Sequence, residues 1–322
     1  MRLARHAVAA GLAAVIAQPA GAQVYTMGSN PQGSLFYQAS AAISKVASDK
    51  LKMQIRVQPM AGSSTYIPLI NTSEVDFGLT NVDDTLNSVR GTGNFEGKPN
   101  PNLRVTAVMF PLTLGLVVAG DSPIKSIKDV KGLRLPTGYP GQTTGRVLQD
   151  ALLASVGLTM ADVRGVPAVN LFQGVELLGK GTVDAAVVGP GIAQVQQANI
   201  ELGSRGGVRF VSVETSPQAV AVMRKFLPVR ILRLVPAPHL VGVVAPTDFM
   251  TYSIYFTTHA KMPDDVVYKM VKTLHESYDD LVRITPVLNR FDPKNMTEKV
   301  DVQWHPGAIR FYTELGQWPP TS

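Results

Sequence analysis

Twice along this chain a run of small polar residues gives way to a helical pattern, and strand-like apolar runs follow each time. The first occurrence is "GSNPQGSLFYQASAAISKVA", starting at Gly28, and the second is "LPTGYPGQTTGRVLQDALLASVG", starting at Leu135. In both, apolar side chains then recur every three or four positions, as on one face of a helix. The first unit reads as a strand over 24–27, a turn over 28–33, a helix over 35–48, a strand over 54–58, a helix over 64–71 and a strand over 75–79. The second reads as a strand over 132–135, a turn over 137–143, a helix over 144–156, a strand over 163–166, a helix over 171–178 and a strand over 183–188.

The two units are a repeat. A shift of 108 positions places Gly33 on Gly141 (141 − 33 = 108), Pro59 on Pro167, Leu69 on Leu177, Val75 on Val183 and Asp76 on Asp184. Alternating strands and helices predict parallel βαβ units in open α/β sheets. Two copies predict two lobes, each turning its helix N-termini toward a cleft, where ligands of such sheets bind. Free N–H groups and the positive ends of helix dipoles there favour an anion.

The remaining pattern connects the lobes. "VMFPLTLGLVVAG" (108–120) carries the chain from the first lobe to the second, and a short helix and strand over 122–135 open the second. Apolar strand pattern over 241–260, interrupted by Pro246, returns the chain. A long amphipathic helix is predicted over 263–282 and a last one over 305–316, ending at Gly316. The domain organisation expected is 1–22 as a signal peptide, 23–115 with 247–322 as the first lobe, and 116–246 as the second.

Composition narrows the function. The chain has 322 residues, 45% hydrophobic and 17% charged, enough to bury a core. Arg2 and Arg5 precede an uncharged run over 7–17, then Pro19 and Ala20-Gly21-Ala22, which reads as a secretory signal cleaved after Ala22 and hence periplasmic localisation. There is no cysteine, which excludes disulfides and thiolate chemistry. The net charge of +6 becomes +4 without Arg2 and Arg5 (6 − 2 = 4), and the basic residues are scattered, so no nucleic-acid partner is expected.

The chain resembles the solute receptors of tripartite ATP-independent periplasmic (TRAP) transporters, of the TAXI type. The resemblance covers the mature chain and rests on "SLFYQASAAI" (34–43), "AGSSTYIPLINTSEVDFGLTN" (61–81), "SIKDVKGLRLPTGYPGQTTGRVLQDALLASVGL" (126–158), "GKGTVDAAVVGPG" (179–191), "MPDDVVYKMVKTL" (262–274) and "HPGAIRFYTELG" (305–316). It implies a two-lobed, type II-like periplasmic binding protein fold, two open α/β sheets joined by hinge strands with the ligand cleft between. It further implies capture of a small carboxylate, glutamate or a 2-oxoglutarate-like dicarboxylate, and delivery to a membrane permease, by a monomer without cofactor. The first turn departs from the family in having Asn30, Pro31 and Gln32 among its small residues and Phe36 in place of a tyrosine.

The residues expected at the ligand follow from the helix starts and strand ends. They are Ser29, Gln32, Ser34 and Tyr37 around the first turn, Ser63, Ser64 and Thr65 at the second helix, and Asn81 at a strand end. In the second lobe they are Thr137, Gln142, Thr143, Thr144, Arg146 and Gly189. Serine and threonine there serve equally as helix caps. Arg146 is a cation in a first helical turn, where the dipole disfavours it, and its fork suits a carboxylate. Asp76 and Asp184 read as turn residues, and His305 as a cap of the last helix.

Other chemistries find little support in the sequence. "GVELLGKG" (174–181) ends in Gly181 where a phosphate loop needs Ser or Thr. His275-Glu276 lacks a second zinc-binding histidine, and no nucleophile elbow occurs. The expectation is a binding protein, neither an enzyme nor a metal protein. A sensory binding protein feeding a receptor, or a secreted hydrolase, are the competing readings.

Overall fold

The computed structural model describes residues 24–320, so the signal peptide expected over 1–22 lies outside the described residues. The first repeat folds as β1 (Val24–Ser29), α1 (Leu35–Leu51), β2 (Gln54–Pro59), α2 (Ser63–Asn71) and β3 (Phe77–Asn81), followed by α3 (Val82–Arg90) and the long strand β4 (Leu103–Ala119). The second folds as β5 (Arg134–Gly138), α4 (Thr144–Ser155), β6 (Arg164–Ala168), α5 (Leu171–Gly179) and β7 (Ala185–Val188). Then come α6 (Ala193–Glu201), β8 (Val208–Val211), α7 (Pro217–Met223), β9 (Arg230–Leu234), β10 (Thr247–His259), α8 (Asp264–Glu276), α9 (Tyr278–Ile284) and α10 (Pro306–Glu314).

Local chemistry sets these elements. Ser34 caps α1 by accepting the N–H of Tyr37 at 3.1 Å, while Ala39, Ile43, Val46 and Ala47 bury one face. The central strand β3 is buried throughout, and Phe77 stacks on Phe256 of β10 at 5.2 Å. Burial of such a ring contributes about 1.5–3 kcal/mol.

The repeat survives in three dimensions. Thr26 pairs with Arg56 between β1 and β2, and Arg134 with Arg164 between β5 and β6, each residue 108 positions from its counterpart (134 − 26 = 164 − 56 = 108). Asp76 accepts the N–H of Thr26 at 2.8 Å, and Asp184 that of Arg134 at 2.8 Å, so both aspartates tie a turn to the first strand of their unit.

One difference separates the copies. β1 lies between β2 and β3, whereas β5 pairs only with β6, and β7 joins β4 instead. The carbonyl of Thr26 accepts from Asp76, so Thr26 and Gly28 face β3. Gly28 corresponds to Pro136 (136 − 28 = 108), which has no N–H to offer on that edge. The sheets of the two lobes are joined through β4 and β10, as hinge strands would join them, into one eight-stranded mixed sheet ordered β2-β1-β3-β10-β4-β7 with β8 on β4 and β9 on β10, and the pair β5-β6 stands apart.

β4 and β10 span both lobes. β4 pairs with β10 up to Leu114 and with β7 and β8 from Gly115 onward. β10 pairs with β9 at its start and with β3 toward its end. The long helix predicted over 263–282 is two helices, broken at Ser277. Asp279 and Asp280 then fall in the first turn of α9, where carboxylates favour a new N-terminus, and Lys50 of α1 holds Asp280 at 2.6 Å.

Candidate functional site

Four helix N-termini, those of α1, α2, α4 and α5, meet between the lobes, and glycines let them touch. A Cβ on Gly62 would lie 2.5 Å from the Gly141 carbonyl oxygen, and one on Gly141 2.6 Å from the Ala61 Cβ. Gly33, at φ +83°, passes so close to Ala193 that a Cβ would come within 2.9 Å of it. These positions exclude side chains because the two jaws are in contact.

One half of the seam is polar and centres on Asp84, whose side chain is wholly buried. Its Oδ2 accepts from the Ser63 hydroxyl, from Ser64 Oγ at 3.2 Å and from Asn81 Nδ2 at 2.9 Å. Its Oδ1 accepts from Thr144 Oγ1 at 2.7 Å, across the seam. Ser64 and Thr143 exchange a second interlobe hydrogen bond at 2.9 Å. Asn81 caps α3 by accepting the Asp84 N–H at 2.8 Å, and its Nδ2 reaches Thr144 Oγ1 at 3.2 Å. A resident carboxylate thus sits where the N-termini of α2, α3 and α4 converge, the environment that favours an anion. Burial, with the charge of Asp84 beside it, pushes the neighbouring Asp83 carboxyl up to about 7. Its Oδ1 accepts from Asn87 at 2.9 Å, and its buried Oδ2 has no hydrogen-bond partner among the described residues.

The other half is apolar. Leu35 and Phe36 of α1 face Leu171 and Phe172 of α5, with Ile192, Val188, Leu112 and Leu114 closing a small cavity of about 30 Å³. Ser34, Asn30 and Gln142 are its polar members. Gln142 Oε1 accepts the Leu171 N–H at 3.1 Å, whereas the buried Asn30 Oδ1 has no partner among the described residues. Gly189 belongs here too, since a Cβ on it would meet the Thr113 carbonyl oxygen at 2.7 Å.

The residues expected at the ligand are thereby sorted. Ser63, Ser64, Asn81, Thr143 and Thr144 gather around Asp84, while Ser34, Gln142 and Gly189 line the apolar cavity. Ser29 is buried and accepts from Ser40 at 3.3 Å. Thr65 bonds its own turn, donating to the Gly62 carbonyl at 2.6 Å. Gln32 is exposed, and its carbonyl meets Gln194 Nε2 at 3.4 Å. Tyr37 is half-buried in the first turn of α1, and Thr137 is half-buried in β5. Arg146 is exposed on α4 and lines neither half. Asp84 escaped the sequence reading, although Asn81 followed three residues later by Asp84 is a helix-start signal. His305 caps α10, its Nδ1 accepting the Gly307 N–H at 3.2 Å.

Among the described residues, no helix is long and apolar enough to cross a membrane. The fold recurs in solved proteins of low identity. A structure described as a periplasmic transporter matches with a TM-score of 0.57 at 12% identity, over 93% of this chain and 94% of that one. PhnD1 from Prochlorococcus marinus (MIT 9301), solved in complex with methylphosphonate, matches at 0.55 and 13% identity, over 91% and 98%. The alkanesulfonate-binding protein SsuA from Xanthomonas axonopodis pv. citri, bound to MOPS, matches at 0.53 and 12%, over 91% of each chain. At these identities the likeness is one of fold, the two-lobed α/β fold of periplasmic binding proteins. The model of the NMT1-like family matches residues 27–316, and the chain belongs to that family.

Proposed function

We propose that the chain is an extracytoplasmic solute-binding protein, with lobes at 23–115 plus 247–322 and at 116–246. Within its family we assign it to the TAXI type of TRAP receptor. It captures a small carboxylate, of the glutamate or 2-oxoglutarate class, and hands it to a membrane permease. The observation that carries this reading is the pair of repeated units turning four helix N-termini toward one seam, which β4 and β10 cross as hinge strands. Opening about these strands would expose the seam, and closure would desolvate a captured solute, so the protein must supply its hydrogen-bond partners. The mature chain's positive balance and the oxyanions named with two structural relatives agree with an anionic solute. The protein acts in the periplasm, after cleavage of its signal peptide, as a monomer and without catalysis.

Differential scanning fluorimetry of the mature protein tests the binding step. A solute at 100 times its Kd adds about 2.7 kcal/mol of stability. A broad panel of carboxylates, amino acids and uncharged solutes that leaves melting unchanged would remove the receptor reading. Uptake by proteoliposomes carrying the membrane partner tests the transporter type. Uptake that needs an ion gradient and no ATP is expected, and dependence on ATP hydrolysis would overturn the TRAP assignment.

A further inference from the structure

Beside the seam lies a larger cavity, of about 190 Å³, that both lobes line. Leu35 and Gln38 of α1 with Val287, Asn289 and Arg290 form the wall on the first lobe, Pro190, Gly191 and His239 the wall on the second, with Pro111 and Thr113 of β4 between them. Arg290 projects into it half-buried. Its only hydrogen bond among the described residues is from Nη1 to Thr113 Oγ1, at 2.5 Å.

That isolation is unusual in this molecule. Six arginines, at positions 90, 134, 205, 233, 283 and 310, hold an aspartate within 2.9 Å. The other half-buried arginines spend their donors on backbone carbonyls: Arg209 on those of Gly120, Ser122 and Ile124, and Arg104 on those of Pro101 and Leu103. Arg56, Arg146, Arg164 and Arg230 lack such partners but are exposed to water. Arg290 is withdrawn from water with a single hydrogen bond, whereas Arg104 makes two and Arg209 three, all to backbone carbonyls, so most of its five N–H donors are unspent beside an open cavity. Burial without an opposing carboxylate draws its pKa below the usual value. A partly desolvated cation is costly unless it is paired. His239, Gln196 and Asn289 also line this space, and their side chains can hydrogen-bond.

We infer that this cavity receives the anionic group of the solute, a carboxylate, phosphonate or sulfonate, with Arg290 as its principal partner. The inference rests on the receptor reading and moves the charge recognition from Arg146, which the sequence favours, to Arg290. An oxyanion there presents oxygens to a forked guanidinium, the geometry that gives Arg its strong paired contacts. It also touches walls from both lobes, so its binding favours the closed form.

The test is fluorimetric titration of the mature protein with succinate, 2-oxoglutarate, methylphosphonate and ethanesulfonate, with succinamide as the uncharged probe. At least one oxyanion is expected to stabilise the wild type and the R146Q variant equally. The R290Q variant is expected to lose at least tenfold in affinity, and R290K about threefold, because a point charge replaces the fork. If R290Q does not fold, R290K and the exposed H239A carry the comparison, each with a loss expected. Oxyanion affinity unchanged in R290Q, or in R290K and H239A together, would overturn the site. Stabilisation by succinamide or another uncharged solute, with none by the oxyanions, would overturn it while leaving the receptor reading intact. No stabilisation by any solute would overturn both.

Discussion

The two halves of the interlobe seam are built from the same repeated unit, yet one is polar and the other apolar. In the polar half, Ser63 and Ser64 of the first lobe meet Thr143 and Thr144 of the second. Shifting each by 108 positions exchanges the lobes and gives the apolar half. Ser63 and Ser64 become Leu171 and Phe172 (63 + 108 = 171), and Thr143 and Thr144 come from Leu35 and Phe36 (35 + 108 = 143). Asn81 becomes Gly189 and Asp84 becomes Ile192 (84 + 108 = 192). The backbone keeps helix N-termini in both places, while the side chains decide what each can hold. The polar half is already satisfied, because Asp84 supplies the anion that the helix ends and hydroxyls would otherwise seek. The apolar half supplies no such group, and the adjoining cavity leaves Arg290 unpaired. A solute gains most where the protein has not completed its own hydrogen bonds.

Removing the resident anion breaks this comparison most strongly. Asp84→Ala leaves the donors of Ser63, Ser64, Asn81 and Thr144 without their shared acceptor in a buried site. A loss of about 3 kcal/mol in urea unfolding is expected. Making the apolar half resemble its mate comes next. Gly189→Asn recreates the residue at Asn81 but forces a Cβ against the Thr113 carbonyl, and should cost about 2 kcal/mol by the same measurement.

Asp83 sharpens the contrast through pH. The folded protein holds its proton up to about 7, against 3.8 for the free side chain. Between those values the native state binds the extra proton, so this group's contribution to stability falls as pH rises and levels off above about 7. The gap sets a ceiling of about 4 kcal/mol. Asp83→Asn escapes the cost of the buried charge but brings an amide that needs partners, so a net gain of about 1 kcal/mol is expected at pH 8. The gain should vanish at pH 4, which thermal melts at the two pH values will check. The smallest effect belongs to the half-buried edge of the polar half. A double-mutant cycle of Ser64→Ala and Thr143→Ala should give a coupling of about 0.5–1 kcal/mol, and zero coupling would mean the interlobe bond is not formed in solution.

Much of the fold was legible. Helices over 64–71 and 171–178 and strands over 54–58 and 163–166 fall within a residue or two of α2, α5, β2 and β6, because the helices keep an apolar face and the flanking turns carry glycine, proline or serine. The start of α3 is signalled by Asn81 and by the carboxylates of its first turn, but the helix is nine residues long with aliphatic side chains only at Val82, Leu86 and Val89, too few to stand out as a period. The break at Ser277 went unread because the apolar spacing continues through it. The solitary β5-β6 pair is consistent with Pro136, whose missing N–H matters only once the strand's edge is known, and the continuous sheet comes from β4 and β10 pairing with strands of both lobes.

The sequence by itself determined the repeated βαβ unit, its 108-residue offset and the small, hydroxyl-bearing residues at the helix starts. These are encoded by periodicity and capping over a few neighbouring positions, so they can be read without knowing what lies opposite. Only the tertiary structure decided which hydroxyls meet a carboxylate and which half-buried arginine faces an open cavity. Thr144 reaches Asp84 from 60 positions away, and Arg290 reaches Thr113 from 177. Whether a polar group is paired depends on packing between distant segments, and local pattern carries no record of it.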